Sequence, residues 1–222
     1  MTVSIVTTCK GRLSHLKQTI WSMAGQLIEG KPVDEVIVVD YGCPDGVSDW
    51  IESQRFPNVK AVKAVNNTDE FNGSRARNIG ARHANGDVIA FFDADVTLPY
   101  GLVQRLIREM KWQGFQLICV ADDKGNINGQ CVVTRSAWKQ VRGLDEGMRG
   151  WGYDDIDFYH RIGRANIPWG KMSGCRLSLI VHGDEESTRF HSEKDKALAA
   201  EANGARMQDF TRAINPDGYG DL

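Results

Sequence analysis

Val88-Ile89-Ala90-Phe91-Phe92-Asp93-Ala94-Asp95 is the stretch that decides the fold class. An unbroken apolar run of this length, opened by the turn pair Gly86-Asp87, predicts a strand buried on both faces, as in a parallel sheet. Two aspartates at alternate positions then leave that strand at its carboxyl end. In open α/β sheets ligands bind beyond the strand tips, where strand order reverses. Two carboxylates aimed at one point repel unless a cation lies between them. Mg²⁺ or Mn²⁺, taking oxygen ligands and a diphosphate together, suits such a pair. A solvated strand-end turn is the plainer reading of the tripeptide, and the flanking sequence has to choose.

Upstream, the β-branched run 3–8 and Glu35-Val36-Ile37-Val38-Val39-Asp40 predict two more buried strands. Between them Leu13, Leu16, Ile20, Met23 and Leu27 recur at three- and four-residue spacing, which predicts a helix over 13–27. The turn-rich stretch 41–46 leads to a short helix at 47–53 and a strand at 59–65, and a helix over 74–84 precedes the central strand. Downstream, Pro99 opens a helix with Leu102, Leu106 and Met110 on one face, closed by Gly114. The β-α-β-α-β-α-β-α order predicts an α/β domain, with a mainly parallel sheet and helices on both faces.

The second half changes character. Strands at 115–121 and 129–134 flank a hairpin turn at 122–126, which contains Asp122 and Asp123. A short helix at 136–141, a glycine-rich stretch at 143–152, a helix at 154–165 and a strand at 176–181 ending at His182 follow. The polar tail from Ser187 reads as a helix over 193–210 and a flexible end at 215–222. No repeat or linker interrupts the chain, so one domain over 1–212 is expected, with 187–222 as C-terminal helix and tail.

Composition is that of a soluble globular protein, 41% hydrophobic and 25% charged. A net charge of −2 gives no electrostatic reason to expect nucleic acid as a partner. The five cysteines show no C-x-x-C pair or zinc-type spacing, and four sit in apolar surroundings, as buried free thiols do. No apolar run approaches the ~20 residues needed to span a bilayer, and no signal-peptide pattern opens the chain. A cytoplasmic protein is expected.

Two further blocks give the aspartate pair its context. The first is Phe71-Asn72-Gly73-Ser74-Arg75-Ala76-Arg77-Asn78-Ile79-Gly80, followed by Asn85-Gly86-Asp87. With the strand and the aspartates, it resembles the nucleotide-sugar half of family 2-like glycosyltransferases of the GT-A fold. The second is Gly150-Trp151-Gly152-Tyr153-Asp154-Asp155-Ile156-Asp157. It is similar to the G-W-G-x-E-D-x-D region of β-1,4-galactosyltransferases, polypeptide N-acetylgalactosaminyltransferases and bacterial chondroitin polymerases. Leu179-Ile180-Val181-His182 then matches the histidine that completes their metal site. The resemblance runs in order from Val3 to His182 and implies a donor half at 1–97 and an acceptor and catalytic half at 98–186. Without the membrane anchor of Golgi relatives, a bacterial or viral source is expected.

The resemblance also implies roles. Asp95 and His182 coordinate the metal, and Asp93 contacts the metal or the donor ribose. One imidazole among oxygen ligands favours Mn²⁺ over Mg²⁺. Asp155 is the general base that takes the acceptor hydroxyl proton. Asp154, where the pattern has glutamate, hydrogen-bonds the acceptor, although such acidic residues also simply favour a helix N-terminus. Trp151, between glycines, suits a lid touching donor and acceptor, the alternative being a core tryptophan at a turn. Tyr153 narrows the acceptor side. Thr8, Arg12, Asp40, Phe71, Arg75 and Asn78 complete the donor side. Arg75 and Arg77 point to different sides of a helix, and Arg75 is taken as the donor contact. A UDP-linked hexose or N-acetylhexosamine, transferred with inversion to a glycan or other hydroxyl acceptor, is the implied reaction.

Two other readings compete. The run 89–97 also matches the strand and D-x-D-x-T motif of haloacid-dehalogenase-type phosphohydrolases, in which Asp93 would be a phosphorylated nucleophile and Asp95 the acid/base. That family opens its core with this strand, whereas three βα units precede it here, and the Trp151 block would go unexplained. A non-catalytic nucleotide-sugar binder would lack the base or a metal ligand, and neither is lost.

Overall fold

The computed structural model of the protein describes residues 1–64, 69–121 and 127–221. The chain begins with β1 (Val3–Cys9), α1 (Leu13–Ala24), the small hairpin β2 (Leu27–Ile28) and β3 (Lys31–Pro32), β4 (Glu35–Asp40), α2 (Val47–Gln54) and β5 (Val59–Lys63). Next come α3 (Gly73–His83), β6 (Val88–Phe91), β7 (Val96–Thr97), α4 (Leu102–Gln113), β8 (Leu117–Ala121) and β9 (Ile127–Thr134). The remainder is α5 (Arg135–Gln140), α6 (Asp154–Arg164), β10 (Trp169–Met172), β11 (Ser178–Leu179), α7 (Asp184–Thr188) and α8 (Lys196–Gln208).

Seven strands form one sheet in the order β10-β8-β9-β6-β1-β4-β5. β1 pairs parallel with β4 and β6, β4 with β5, and β8 with β10, while β9 runs antiparallel to both its neighbours. The alternation of side chains across the central strands feeds two cores. Val3, Ile5, Val36, Val38, Val88 and Ala90 face one side, with Leu16 and Ile20 of α1, Val47 of α2 and Leu106 of α4. Val6, Ile37, Val39, Ile89 and Phe91 face the other, with Ile79 of α3, Trp138 of α5 and Phe158 of α6. Burial on both faces is why these strands read as unbroken apolar runs.

Gly80 brings α3 onto the sheet. A Cβ there would come within 2.3 Å of Val6 Cγ1 and 3.0 Å of Val39 Cγ2. That close approach places the N-terminal turn of α3 over the carboxyl ends of β1 and β4.

Three expectations are corrected. The strand expected at 176–181 shrinks to Ser178–Leu179, paired antiparallel with β7, and Val181 is 93% exposed. Past Leu179 the run makes a further backbone bond, Ile180 N–H to Asp95 O at 2.9 Å, and then turns out to solvent. The tail expected to be flexible packs on the domain: Asn215 donates to Arg142 O and Leu144 O at 2.8 Å each, and the Tyr219 ring meets Trp138 at 5.2 Å. Trp169–Met172, not expected as a strand, extends the sheet beyond β8. The turn expected at 122–126 and Val65, the last residue of the strand expected at 59–65, lie outside the described residues. Among the described residues no helix is long and apolar enough to cross a membrane.

Candidate active site

From β1 the chain runs out to β4 and β5, then returns to β6 on the opposite side of β1. Strand order reverses there, and a cleft of about 720 Å³ opens beyond the strand tips, well within the size of small-molecule sites. Thr8, Lys10 and Arg12 line it from the end of β1, and Asp93 and Asp95 from the end of β6. Phe71, Gly73, Ser74 and Arg77 come from the start of α3, and residues 150–156 from the approach to α6. Later residues complete the wall, among them Leu179, His182, Glu186, Phe190, His191 and Ala200.

Asp93 is held from two sides. Its Oδ1 accepts from Arg77 Nη2 at 2.8 Å, and its Oδ2 from Gln130 Nε2 at 2.7 Å. Its own N–H donates to Gln130 Oε1 at 2.9 Å. The other arm of the Arg77 fork, Nη1, donates to Asp154 Oδ2 at 2.8 Å. One guanidinium therefore joins the strand-tip carboxylate to the first residue of α6, the fork geometry for which arginine is suited. Burial works against the charge on Arg77, but Asp93 and Asp154 outweigh it and hold its pKa above the ordinary value. Gly129 keeps this space open, since a Cβ there would lie 3.1 Å from Arg77 Nη2.

Asp95 meets His182 through the β7–β11 ladder. Leu179 pairs with Val96, and Ile180 N–H donates to Asp95 O at 2.9 Å. The chain thus returns to the aspartates, and His182 Nε2 comes to 2.8 Å from Asp95 Oδ2. Arg12 Nη1 lies 3.5 Å from the same oxygen. The His15 ring stacks on His182 at 5.7 Å. A carboxylate and an imidazole converging at the mouth of a cleft fit two ligands of Mn²⁺ or Mg²⁺. Among the described residues no group of three or more histidine, cysteine, aspartate and glutamate side chains gathers there. The donor set suits a metal that takes its other ligands from a diphosphate and water.

The approach to α6 is bent by positive φ at Gly150, Gly152 and Tyr153. Trp151 is 47% exposed and lines the cleft, so it is not a core residue. Asp154, Asp155 and Asp157 all fall in the first turn, but the helix separates them. Asp157 is fully buried and bonds Arg161 Nε at 2.7 Å and Arg212. Asp155 stays in the cleft, its Oδ1 accepting from Ile156 N–H at 2.8 Å. Burial, helped by the neighbouring Asp154 charge, pushes the Asp155 carboxyl up to about 6, against the pull of Arg77.

Three residues assigned to the donor side do not line the cleft. Asp40 is turned into the β4–α2 connection, where it accepts from Cys43 N–H at 2.8 Å and Ser48 Oγ at 2.6 Å. Asn78 is buried and fastens the 143–146 stretch, donating to Leu144 O and Glu146 Oε1 and accepting from Leu144 N–H. Arg75 lies outside, its Nη2 3.4 Å from Asp221 O, and Arg77 takes the inward position. The phase of α3 decides this: Asn72 caps it by accepting from Arg75 N–H at 2.9 Å, which aims the next turn at the cleft. Gln130, Glu186 and His191, which sequence reasoning did not single out, also line it. Gln130 becomes visible only once the β6–β9 register sets Phe91 opposite Cys131 and brings the preceding residue beside Asp93.

The chain has recognisable relatives. Over 111 residues it is 29% identical to dolichol-phosphate mannosyltransferase of Pyrococcus furiosus, a match covering 50% of this chain and 30% of that protein. The chain therefore matches less than a third of that relative's length. Its fold is similar to that of S. aureus TarS 1-349 in complex with UDP-GlcNAc, with a TM-score of 0.69 and 14% identity over 94% of this chain and 67% of that one. It is also similar to mannosyltransferase PcManGT from Pyrobaculum calidifontis in complex with GDP-Man and Mn²⁺, with a TM-score of 0.65 and 16% identity over 78% of this chain and 55% of that one. These neighbours share the GT-A fold. Residues 4–165 match the model of glycosyl transferase family 2, and the chain belongs to that family.

Proposed function

We propose that the chain transfers a hexose or N-acetylhexosamine from a UDP-linked donor to a hydroxyl of a glycan or other acceptor, with inversion. The observation that carries this reading is Asp155, a carboxyl raised to about 6, facing the same cleft as Asp93 and Asp95. A general base works best with a pKa near the operating pH. Asp155 takes the acceptor hydroxyl proton while the oxygen attacks the anomeric carbon from the side opposite the departing diphosphate. Asp154, oriented by Arg77, accepts a hydrogen bond from the acceptor. Trp151 borders both sides in this reading, Tyr153 the acceptor side, and Thr8, Arg12, Phe71 and Arg77 the donor side, all of them lining the cleft.

Asp95 and His182, with Asp93, hold Mn²⁺ or Mg²⁺ in this reading. The bound metal supplies Lewis-acid stabilisation of charge on the leaving diphosphate, worth several kcal/mol. The Gly150–Asp157 block supports the resemblance to galactosyl- and N-acetylgalactosaminyltransferases. UDP-GlcNAc in TarS and GDP-Man with Mn²⁺ in PcManGT support a nucleotide sugar and a divalent metal. The phosphohydrolase reading leaves unexplained the Gly150–Ile156 stretch that lines the cleft.

Calorimetric titration with UDP, GDP and UDP-sugars, with Mn²⁺ and with chelator, tests the proposal. Mn²⁺-dependent UDP binding that disappears in Asp95→Ala and His182→Ala is expected. Absence of nucleotide binding, with Mg²⁺-dependent aryl phosphate hydrolysis lost in Asp93→Asn, would sink it.

A further inference from the structure

Residues 166–221 lie beyond the family match, yet one of their helices shapes the cleft. On α8, Lys196, Ala199, Ala200 and Asn203 fall at i, i+3, i+4 and i+7 and so share a face. That face meets the 149–153 turn. A Cβ on Gly150 would come within 2.9 Å of the Ala199 Cβ, and one on Gly152 within 3.4 Å of the Ala200 Cβ. Lys196 Nζ stands 5.1 Å from the centre of the Trp151 ring. Positive φ at Gly150, Gly152 and Tyr153 keeps this stretch out of helix and strand, so its backbone groups need partners from elsewhere. Asn203, 4% exposed, supplies three. Its Oδ1 accepts from Arg149 N–H at 3.0 Å, and its Nδ2 donates to Arg149 O at 2.8 Å and Gly152 O at 2.9 Å.

We propose that Asn203 is a positioning residue for the Trp151 turn, setting how the protein grips the sugar of a nucleotide sugar rather than the nucleotide itself. The inference rests on the glycosyl-transfer reading above. The amide side chain straddles the turn on both sides of Trp151, and its hydrogen bonds go to Arg149 and Gly152 rather than to the strand tips, where a nucleoside diphosphate is expected. Loosening Asn203 should therefore uncouple the two ends of the cleft.

Hydrogen exchange of the full chain with Mn²⁺ tests this, using UDP and GDP alone and then UDP-linked hexoses, UDP-linked N-acetylhexosamines and GDP-mannose. In the wild type, at least one sugar nucleotide should slow the 149–153 amides tenfold or more beyond its own nucleoside diphosphate. Asn203→Asp keeps an acceptor for Arg149 N–H but sets carboxylate oxygens against two carbonyls. It should retain the nucleotide's protection at 8–10 and 93–95 within twofold and lose the extra protection at 149–153. Should that variant fold poorly, Lys196→Met carries the same comparison, with at least a threefold loss. Full retention of the extra protection overturns this inference alone. Failure of every probe to protect the wild type overturns the glycosyl-transfer reading, and the inference with it.

Discussion

Asp155 has a carboxyl raised from 3.8 to about 6, chiefly by burial and then by the charge on Asp154. As the proposed base it must be ionised, so kcat/KM should rise tenfold per pH unit below 6 and level off above it. Asp154→Asn removes the like charge, and its profile should move to lower pH; an unmoved midpoint would take Asp155 out of the role of base. The same shift carries a stability consequence. A group that binds its proton more tightly when folded stabilises the fold fully below its unfolded value near 4, and loses that contribution as pH rises through 6. Asp155→Asn should thus abolish transfer yet stabilise the fold at pH 7 by about 1–2 kcal/mol, after discounting for partial exposure. At pH 4 it should add nothing, which paired thermal melts would read. The Gly150-Trp151-Gly152 block drew attention to Asp155, and the structure adds that this residue, unlike the buried Asp157, lines the cleft. Arg77 was less so. The spacing showed that Arg75 and Arg77 cannot share a face, but only the Asn72 cap and the space left by Gly73 and Gly129 determine which one turns inward.

At the scale of elements, α3 carries Arg77 and must sit hard against the sheet to deliver it. Gly80 permits this, with Val6 Cγ1 2.3 Å and Val39 Cγ2 3.0 Å from where a Cβ would stand. Both valines are buried in central strands and cannot swing aside. Alanine has the better helix propensity by about 1 kcal/mol, so on an exposed helix Gly80→Ala would stabilise. Here overpacking should win, with a net loss of about 1–3 kcal/mol in urea unfolding, and a gain would mean that α3 rides loosely. The central strands could be read from sequence because burial on both faces leaves them rich in β-branched and other apolar residues, with few polar ones such as Ser4 and Thr7. β10 could not, since Trp169, Gly170, Lys171 and Met172 sit at an edge with alternate residues exposed and carry no β-branched run. Nor does any local pattern reveal that β9 enters the sheet between β8 and β6, because that is fixed by long-range pairing.

Over the whole molecule, the C-terminal segment is tied to Asp145 and to Asp157 of α6 by a charge network. Asp145 and Asp157 are fully buried. Asp145 accepts from Arg206 at 2.8 and 2.9 Å, Arg212 at 3.1 Å and Gly147 N–H at 3.0 Å, and Asp157 accepts from Arg161 and Arg212. Arg212 thus joins the two carboxylates while also donating to Met207 O and Asp209 O. The pairs made by Arg206 and Arg212 were not visible in the sequence, where the partners are separated by 55 to 67 residues and the tail reads as polar and loose. Removing one partner from a buried ionic cluster leaves charge uncompensated and costs about 3–5 kcal/mol. Arg212→Met keeps the aliphatic bulk and removes the fork, so that loss is expected in urea unfolding at pH 7. Burial raises the Asp145 carboxyl, but Arg206, the Gly147 amide and Arg212 outweigh it and hold the pKa below the ordinary value. Its stabilising contribution is therefore present above the unfolded value near 4 and lost as pH falls through the folded one. The gap between wild type and Arg212→Met should accordingly narrow as the pH drops below 4. A variant as stable as the wild type at pH 7 would mean that apolar contacts such as Tyr219 on Trp138 hold the tail, and that the charges only choose its register.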